Sequence, residues 1–425
     1  MTTSTPERPA AATAGPDEPT APGAPRTAGR RNLLAAHLVD SLGSGLLLTF
    51  TVVYFARTTT LTLTVIGAAI SLGRLLALPT AVLTGPIVDR YGARTVAAAA
   101  NLLSALAHTA FLLAHRPWQI TAVVLLAQIG TAGYWTASTG LVVLAADEPR
   151  RTRCFALIST LRNAGLALGG ALGAFLLAVG GATGLRATVL LNAASFLAAA
   201  VLLATWRPPH PPTRTRTAGP AAGSYRTVLR DRRYLLLVAI NLGNVFASLV
   251  LSLLLAVYLT DGLHRPAWVA GSLLVLNSAQ VVLTQTAVTR RLERFRPTRV
   301  IAAAHVLNAL AFGAFAALSA APGWAVLAGL YAAMLVYNAA ETMATPFAEN
   351  LSVQLAHPDL RGRYLAVHQL SWTFGQVAAP ALLTLLLGIG TVWPWLFLAA
   401  LALATVPALL VLERTIARPL APGPS

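Results

Sequence analysis

The segment TVIGAAISLGRLLALPTAVL (64–83), TGPIVDRYGAR (84–94) and TVAAAANLLSALAHTAFLLAH (95–115) decides the fold of this chain. Each apolar stretch has the roughly 20 residues that cross about 30 Å of hydrocarbon at about 1.5 Å per residue. Between the two stretches lies a short loop that carries Asp89, Arg90 and Arg94. Apolar stretches that alternate with charged loops predict a helical membrane protein.

The same alternation continues along all 425 residues, of which 56% are hydrophobic and 11% charged. A soluble domain carries about twice that fraction of charge, so the composition excludes one. The predicted spans are 33–56, 64–83, 95–115, 118–145, 155–179, 187–205, 234–260, 267–289, 300–319, 324–347, 364–388 and 392–412. The sequence therefore predicts an all-α protein with twelve transmembrane helices.

Arginine predicts the orientation, because the chain contains no lysine and all 31 basic residues are arginine. Most lie in the two terminal segments and in every second connection, whereas the alternate connections carry Arg57, Arg116, Arg186 and Arg265. Positively charged loops stay in the cytoplasm, so both termini and the long central loop are predicted to be cytoplasmic. The net charge of +17 is then explained by topology and by contact with anionic lipid, without nucleic acid as a partner.

The Pro- and Arg-rich segment 207–233 is predicted to be a cytoplasmic linker between two six-helix bundles, 32–206 and 234–413. A disordered cytoplasmic tail (1–31) and a short tail (414–425) flank the bundles. RTRCFALISTLRNAGLALGG (151–170) aligns with RGRYLAVHQLSWTFGQVAAP (361–380) at an offset of 210 residues, which favours an internal repeat. Transporters built from such parallel repeats bind substrate between the halves.

The loop after the second span holds the most specific motif, formed by Gly85, Asp89, Arg90, Gly92 and Arg94. Its glycines permit a tight turn, and its aspartate can accept hydrogen bonds from a helix N-terminus. The two arginines can pair with acids of neighbouring loops. The corresponding loop of the second half, TRRLERFRPTRV (289–300), keeps the charge without this Gly and Asp pattern. Any latch formed by the motif is therefore expected to be asymmetric, and the alternative is a capped loop that only sets topology.

The motif resembles the G-x-x-x-D-R-x-G-R signature of the major facilitator superfamily, with Ala93 inserted before Arg94. RNAGLALGGALGAFL (162–176) resembles the glycine-rich fifth helix of its drug–proton antiporters, although the usual proline is missing. ETMATPFAENLSVQLAHPDLRGRYLAV (341–367) resembles the end of the tenth helix and the next loop of twelve-span exporters. The resemblance covers about residues 33–412 and implies two six-helix bundles, secondary transport and a gating role for the motif.

Four charged residues lie inside predicted spans: the acids Asp40 and Glu341 and the bases Arg74 and Arg162. A lone charge at the bilayer centre costs at least a few kcal/mol, so such groups pair or face water. Both acids lie about 10 Å from the cytoplasmic end of their predicted spans, and the resemblance implies that spans one and ten line a central cavity. One interpretation is that the acids bind and release a coupling proton. The other is a static salt bridge that holds helices together, either Asp40–Arg74 or Arg162–Glu341.

Candidate substrate contacts are the amide and aromatic side chains on the helices that the resemblance places around the cavity. An apolar cavity with a few such groups suits amphipathic molecules, and each group could equally form an interhelical hydrogen bond. The candidates are Gln128, Tyr134, Trp135, Asn241, Asn244, Tyr337 and Asn338.

No nucleotide-binding loop, zinc-protease motif, serine-hydrolase elbow or metal-ligand spacing occurs in the sequence, which argues against an enzyme, a cofactor and ATP-driven transport. The sequence predicts an alternating-access transporter that exports small amphipathic compounds in exchange for protons. A proton-coupled importer or a facilitator of a metabolite is the alternative, and a non-transporting receptor or scaffold is a third hypothesis. The Ala-, Arg- and Pro-rich composition suits a bacterial cell membrane, and nothing requires an oligomer.

Overall fold

A computed structural model describes residues 26–47, 51–209 and 225–417, and within these ranges all regular secondary structure is helical. Short helical turns at 255–262, 318–320 and 358–360 connect the main helices. The main helices are α1 (Arg26–Leu47), α2 (Thr51–Thr58), α3 (Leu63–Leu76), α4 (Thr80–Tyr91), α5 (Ala93–Phe111), α6 (Pro117–Ala145), α7 (Glu148–Gly181), α8 (Thr183–Thr205), α9 (Tyr225–Arg230), α10 (Arg232–Leu253), α11 (Ala267–Leu292), α12 (Pro297–Ala317), α13 (Gly323–Leu355), α14 (Arg361–Ile389) and α15 (Trp393–Ala417).

Nine helices of the described ranges are long and apolar enough to cross a membrane. The number rises to eleven when two bent pairs, α1 with α2 (50°) and α3 with α4 (42°), each count as one span. The remaining predicted span, 95–115, coincides with α5, which has 19 residues. That helix is not among the nine, and it contains the polar residues Asn101, Ser104 and His108. Every predicted span thus corresponds to a helix or to a bent helix pair.

Several helices extend beyond their predicted spans. Helix α13 continues to Leu355, eight residues past the predicted end, and α7 begins at Glu148 instead of 155. The predicted linker 207–233 contains α9 and the start of α10, and α15 continues to Ala417. Helix α1 begins at Arg26, inside the predicted tail, and residues 1–25 lie outside the described part. Polar residues that lie just outside a predicted span therefore belong to helices and not to loops.

Glycines of α7 allow this helix to pack closely on α1. Gly165 and Gly169 lie against the backbone of α1, and Gly45 of α1 lies against the backbone of Leu166. Small residues at such spacings let two helix backbones approach each other. This contact brings the charged residues of the two helices, Asp40 on α1 and Arg162 on α7, to the same region of the molecule.

The large apolar clusters follow the two halves of the chain, 26–209 (the first half) and 225–417 (the second half). Two clusters consist of residues of the first half and two of residues of the second half. A smaller cluster joins the halves and is called the seam cluster below. It contains Val142, Ala146, Cys154, Phe155, Val353 and Leu365. The seam cluster lies near the arginine-rich end of the molecule, which carries the connections 88–94, 146–153, 290–299 and 356–363.

The packing of α1 on α7 predicts opposite effects for two neighbouring substitutions. Gly169→Ala places a methyl group into the carbonyl of Leu42, whereas a methyl group at Gly170 comes no closer than 3.9 Å to Gly45. Alanine favours a helix by about 1 kcal/mol over glycine, and overpacking costs about 1–3 kcal/mol. We therefore expect Gly169→Ala to lower the thermal unfolding midpoint of the purified protein by about 2–5 °C. Gly170→Ala, the matched control, should leave the midpoint unchanged or raise it, and equal midpoints for both variants would contradict this packing.

Candidate functional site

Asp40, Arg162 and Glu341 occupy comparable depths in the bundle. Each lies fourteen residues from the arginine-rich end of its helix, α1, α7 or α13. That separation corresponds to about 21 Å along a helix. This distance exceeds the roughly 10 Å measured from the ends of the predicted spans because the helices extend beyond those spans.

Arg162 is the base of this site. Its guanidinium lies 4.5 Å from the centre of the Trp135 ring, a distance at which a cation is attracted to the aromatic face. It has attractive charge interactions with the carboxylates of Glu349, Glu341 and Asp40. None of these carboxylates lies within the 4.0 Å of a direct ion pair. The expected direct pair Arg162–Glu341 is therefore absent from the described residues.

Asp40 lies on α1 beside Arg162, and its side chain is 5% exposed. Arg162 exerts the principal charge interaction on this carboxyl group. Arg74 was the other candidate partner, but it is exposed in the last turn of α3 and forms no ion pair within the described ranges. The expected Asp40–Arg74 salt bridge is wrong because the α1–α7 contact gives the acid a different neighbour.

Glu341 is held by amides of its own half. Asn277 Nδ2 donates to Glu341 Oε2 at 3.0 Å and to Asn338 Oδ1 at 2.8 Å. Asn338 Nδ2 in turn donates to Gln280 Oε1 at 3.1 Å. The network joins α11 to α13 and fixes the carboxyl group, so Asn338 contributes to positioning the acid.

The other substrate-contact candidates fall into two groups. Tyr134 and Trp135 adjoin the charged residues, and the Tyr134 hydroxyl is 2.7 Å from His37 Nδ1 on α1. Gln128 is partly buried on α6.

The second group is buried in interhelical contacts of the second half. Asn241 donates to the Ser371 hydroxyl at 2.7 Å, and the Tyr337 hydroxyl donates to the Ala247 carbonyl at 3.0 Å. Asn244 is also buried. Hydrogen bonding between helices accounts for the polar groups of Asn241 and Tyr337, and Tyr337 lies one turn before Glu341 on α13.

Glu349 is the acid that the sequence-based prediction missed. It lies on α13 eight residues beyond Glu341, about 12 Å closer to the arginine-rich end. The predicted span ended at 347, which left Glu349 in a loop. Its Oε2 accepts a hydrogen bond from the Thr139 hydroxyl of α6 at 3.3 Å, across the two halves. A longer periodic pattern after Pro346 was the available signal, because apolar residues continue to Leu355.

The two halves meet at the arginine-rich end through Asp89. Its Oδ1 accepts from the backbone N–H of Gly362 at 2.5 Å, and its Oδ2 accepts from Arg363 Nη1 at 3.0 Å. Gly362 belongs to the first turn of α14, where unpaired N–H groups and the helix dipole attract an anion. The Asp89 side chain is only 7% exposed. We call this contact the latch.

The motif residues around the latch have different roles from those expected. Gly85 lies inside α4, not in a turn, and packs against the backbone of Arg363. Gly92 does form the turn, with a φ of 83° that suits glycine. Arg94 donates to the Trp206 carbonyl at 2.6 Å, and the exposed Arg90 lies 5.3 Å from the Tyr91 ring. Neither arginine pairs with an acid within the described residues.

A second contact repeats the latch on the other side of the seam. Arg153 Nε, near the start of α7, lies 2.5 Å from Glu293 Oε2 after α11. In the repeat alignment Arg153 corresponds to Arg363, and Glu293 occupies its loop as Asp89 occupies the first-half loop. Both loops thus form a charge pair between the halves, but the two contacts are unequal. The backbone contact remains specific to Asp89.

These helices form a bundle in which charged residues lie between two halves that are joined at one end. That arrangement, in a chain of apolar helices, defines a multi-pass membrane transporter. The chain belongs to the Major Facilitator Superfamily, whose family model matches residues 33–348.

Relatives and a solved structure agree with this assignment. A Na(+), Li(+), K(+)/H(+) antiporter of Planococcus maritimus is 25% identical over 346 residues, which cover 75% of this chain and 80% of the relative. Multidrug resistance protein MdtH of Klebsiella pneumoniae (strain 342) is 25% identical over 349 residues, 81% and 84% of the two chains. A bacterial homologue of the iron transporter ferroportin, solved in an outward-facing state, superposes with a TM-score of 0.73 at 15% identity and covers 92% of this chain and 100% of its own.

The latch and the Arg153–Glu293 pair predict a graded effect on access to Cys154, the only cysteine of the chain and 3% exposed in the seam cluster. Asp89→Asn removes a buried charge-assisted contact worth roughly 1.5–3 kcal/mol, so Cys154 should react with a maleimide about tenfold faster. Glu293→Gln removes a contact to Arg153, which is 52% exposed, so the rate should rise only about two- to threefold.

The alkylation rate of the purified protein checks this prediction. Arg290→Gln, which removes an exposed charge at the same end, is the control and should leave the rate unchanged. A rate for Asp89→Asn that equals the rate of the parent protein would show that the latch does not hold the seam.

Proposed function

We propose that this protein exports small amphipathic compounds from a bacterial cell in exchange for protons. The observation that carries the proposal is the grouping of Asp40, Arg162 and Glu341 within apolar helices of both halves. Charged groups in such helices need partners or water, and they mark ion and substrate pathways in membrane proteins. In this proposal the arginine-rich end faces the cytoplasm.

The proposed cycle uses the two acids as alternating sites for a proton and a substrate. A carboxyl group in an apolar cavity is poised between its neutral and ionised forms. A proton that binds to one acid removes its negative charge. A substrate with a positively charged group instead pairs with the ionised acid and balances that charge. Because the two ligands compete for the same charge, substrate loading on one side releases protons there. Trp135 and Tyr134 supply aromatic surface for the apolar part of a substrate.

The contacts between the halves support alternating access. The latch, the Arg153–Glu293 pair and the seam cluster all lie at the arginine-rich end. With that end in the cytoplasm, this conformation is closed toward the cytoplasm. The opposite conformation would require these contacts to break, which gives the latch its proposed gating role.

The printed names of the relatives support export and proton exchange, since one is a multidrug resistance protein and another a proton antiporter. The alternative is that the same machinery imports a metabolite with protons or lets it equilibrate. The direction of pH-driven flux separates these alternatives, because export consumes an inward proton gradient and import uses it to accumulate substrate.

Neutral substitutions of the two acids test proton coupling. Asp40→Asn and Glu341→Gln keep the shape of the side chain but cannot bind or release a proton. In proteoliposomes with an imposed pH gradient, we expect gradient-driven transport of an amphipathic dye to fall at least about tenfold in one or both variants. Exchange of dye at equal pH should persist, because exchange needs no net proton movement.

Glu148→Gln is the matched control, because this exposed acid lies outside the site. It should transport like the parent protein. Gradient-driven transport that survives in both Asp40→Asn and Glu341→Gln would overturn the proton-coupling proposal, and absence of flux in the parent protein over a broad panel of dyes and antibiotics would overturn export of amphipathic compounds.

A second candidate function is exchange of monovalent metal cations for protons. The specific observation in its favour is that three carboxylates, Asp40, Glu341 and Glu349, surround one arginine. The name of the Planococcus maritimus relative points in the same direction. Addition of Na⁺, Li⁺ or K⁺ to acid-loaded proteoliposomes would release protons if this function holds. Proton release with amphipathic dyes alone would favour the first proposal.

A further inference from the structure

We propose that Arg162 couples the charge of Asp40 to closure of the arginine-rich end. In this mechanism the acids of the two halves compete for the guanidinium of Arg162. Asp40 belongs to the same half as Arg162, whereas Glu349 and Glu341 belong to the other half. Attraction toward Asp40 does nothing to join the halves, and attraction toward Glu349 pulls them together.

The helix directions favour this competition. Side chains tilt toward the N-terminus of their own helix. Helix α7 begins at the arginine-rich end, so Arg162 is directed toward that end. Helix α13 ends there, so Glu349 is directed away from it and toward Arg162. On α6, Trp135 contacts the Arg162 guanidinium and Thr139, one turn further along, donates to Glu349, which places the arginine and this acid in the same region.

Glu349 lies at the interface of the two halves, so a change in its attraction to Arg162 acts on both of them. Its carboxylate accepts from Thr139 on α6 at 3.3 Å. The next residue, Asn350, donates to the Thr152 hydroxyl on α7 at 3.0 Å, and both partners are buried. Two adjacent residues of α13 thus bind two different helices of the first half. The seam cluster includes Val353, one turn further along α13.

Few other side chains around Arg162 could compete for its charge. Helix α6 contributes Tyr134 and Trp135, which carry no charge at neutral pH. On α1 the neighbours are Asp40 and His37, and the His37 ring contacts the Tyr134 hydroxyl. His368 on α14 is buried and interacts with Glu349. Three acids therefore interact with the charge of Arg162. Asp40 belongs to the same half as the arginine, and Glu341 and Glu349 belong to the other half.

Neutralising Asp40 and neutralising Glu349 should then have opposite effects on the seam. Loss of the Asp40 charge leaves Arg162 free to attract Glu349, which tightens the arginine-rich end. Loss of the Glu349 charge removes the attraction and loosens that end. The role of a proton as the natural ligand that neutralises Asp40 rests on the proposed function. The competition for Arg162 is an equilibrium between charges and needs no transport.

Alkylation of Cys154 by a maleimide at pH 8 tests the mechanism on the purified full-length protein. We expect Asp40→Asn to slow the reaction about threefold and Glu349→Gln to accelerate it about threefold. Glutamine keeps an acceptor for Thr139, so a role limited to that hydrogen bond would leave the rate unchanged. Arg162→Gln should accelerate the reaction, and the double variant Asp40→Asn/Arg162→Gln should react like Arg162→Gln alone.

Two comparisons keep the result interpretable. Glu148→Gln is the charge control and should react like the parent protein. If Arg162→Gln does not fold, Asp40→Asn/Glu349→Gln replaces it, and the slowing caused by Asp40→Asn should shrink in that background. The inference is overturned if Asp40→Asn and Glu349→Gln shift the rate in the same direction, if Glu349→Gln leaves it unchanged, or if Asp40→Asn acts equally with and without its partners.

Transport is measured separately on the same variants. Opposite rate shifts without proton-coupled flux in the parent protein would retain the Arg162 competition and reject the proposed function. Coupled flux that Asp40→Asn abolishes, together with unchanged Cys154 rates, would retain the function and reject the competition.

Discussion

The structure depends on how one arginine and three acids are accommodated inside a bundle of apolar helices. A charge there is tolerated only with partners or water, and here the partners come from different helices and from both halves. Close packing of α1 on α7 brings Asp40 beside Arg162, the Trp135 ring supports the guanidinium, and amides of α11 and α13 hold Glu341. Each contact between helices therefore also sets the electrostatics of the site.

The arginine-rich end is joined by contacts that repeat across the two halves. An acid after one span meets an arginine at the start of a span of the other half, in both the Asp89–Arg363 and the Arg153–Glu293 pairs. The pairs differ in strength because Asp89 is buried and also binds the N-terminus of α14, whereas Arg153 is half exposed. Such contacts can hold one conformation and still separate during a transport cycle.

The sequence predicted the helices well because length, apolar character and arginine distribution are local properties. It placed Asp40, Glu341, Tyr134 and Trp135 on their correct helices, and Asp89 in a position to bind a helix N-terminus. It failed where the outcome depended on helix ends or on partners far along the chain. Glu349 was lost because α13 extends eight residues past its predicted span, and the Arg162–Trp135 and Asn241–Ser371 contacts join segments that no local pattern connects.

The central claim is that acids in the cavity exchange protons for substrate. Proton release from the purified protein in weakly buffered detergent solution, followed with a pH indicator while a transported dye is added, tests it most directly. The account predicts that saturating dye releases protons from the parent protein, and that the release decreases as the starting pH rises and the acids become ionised beforehand. Binding of the dye without release of protons at any pH between about 5 and 8 would contradict the account.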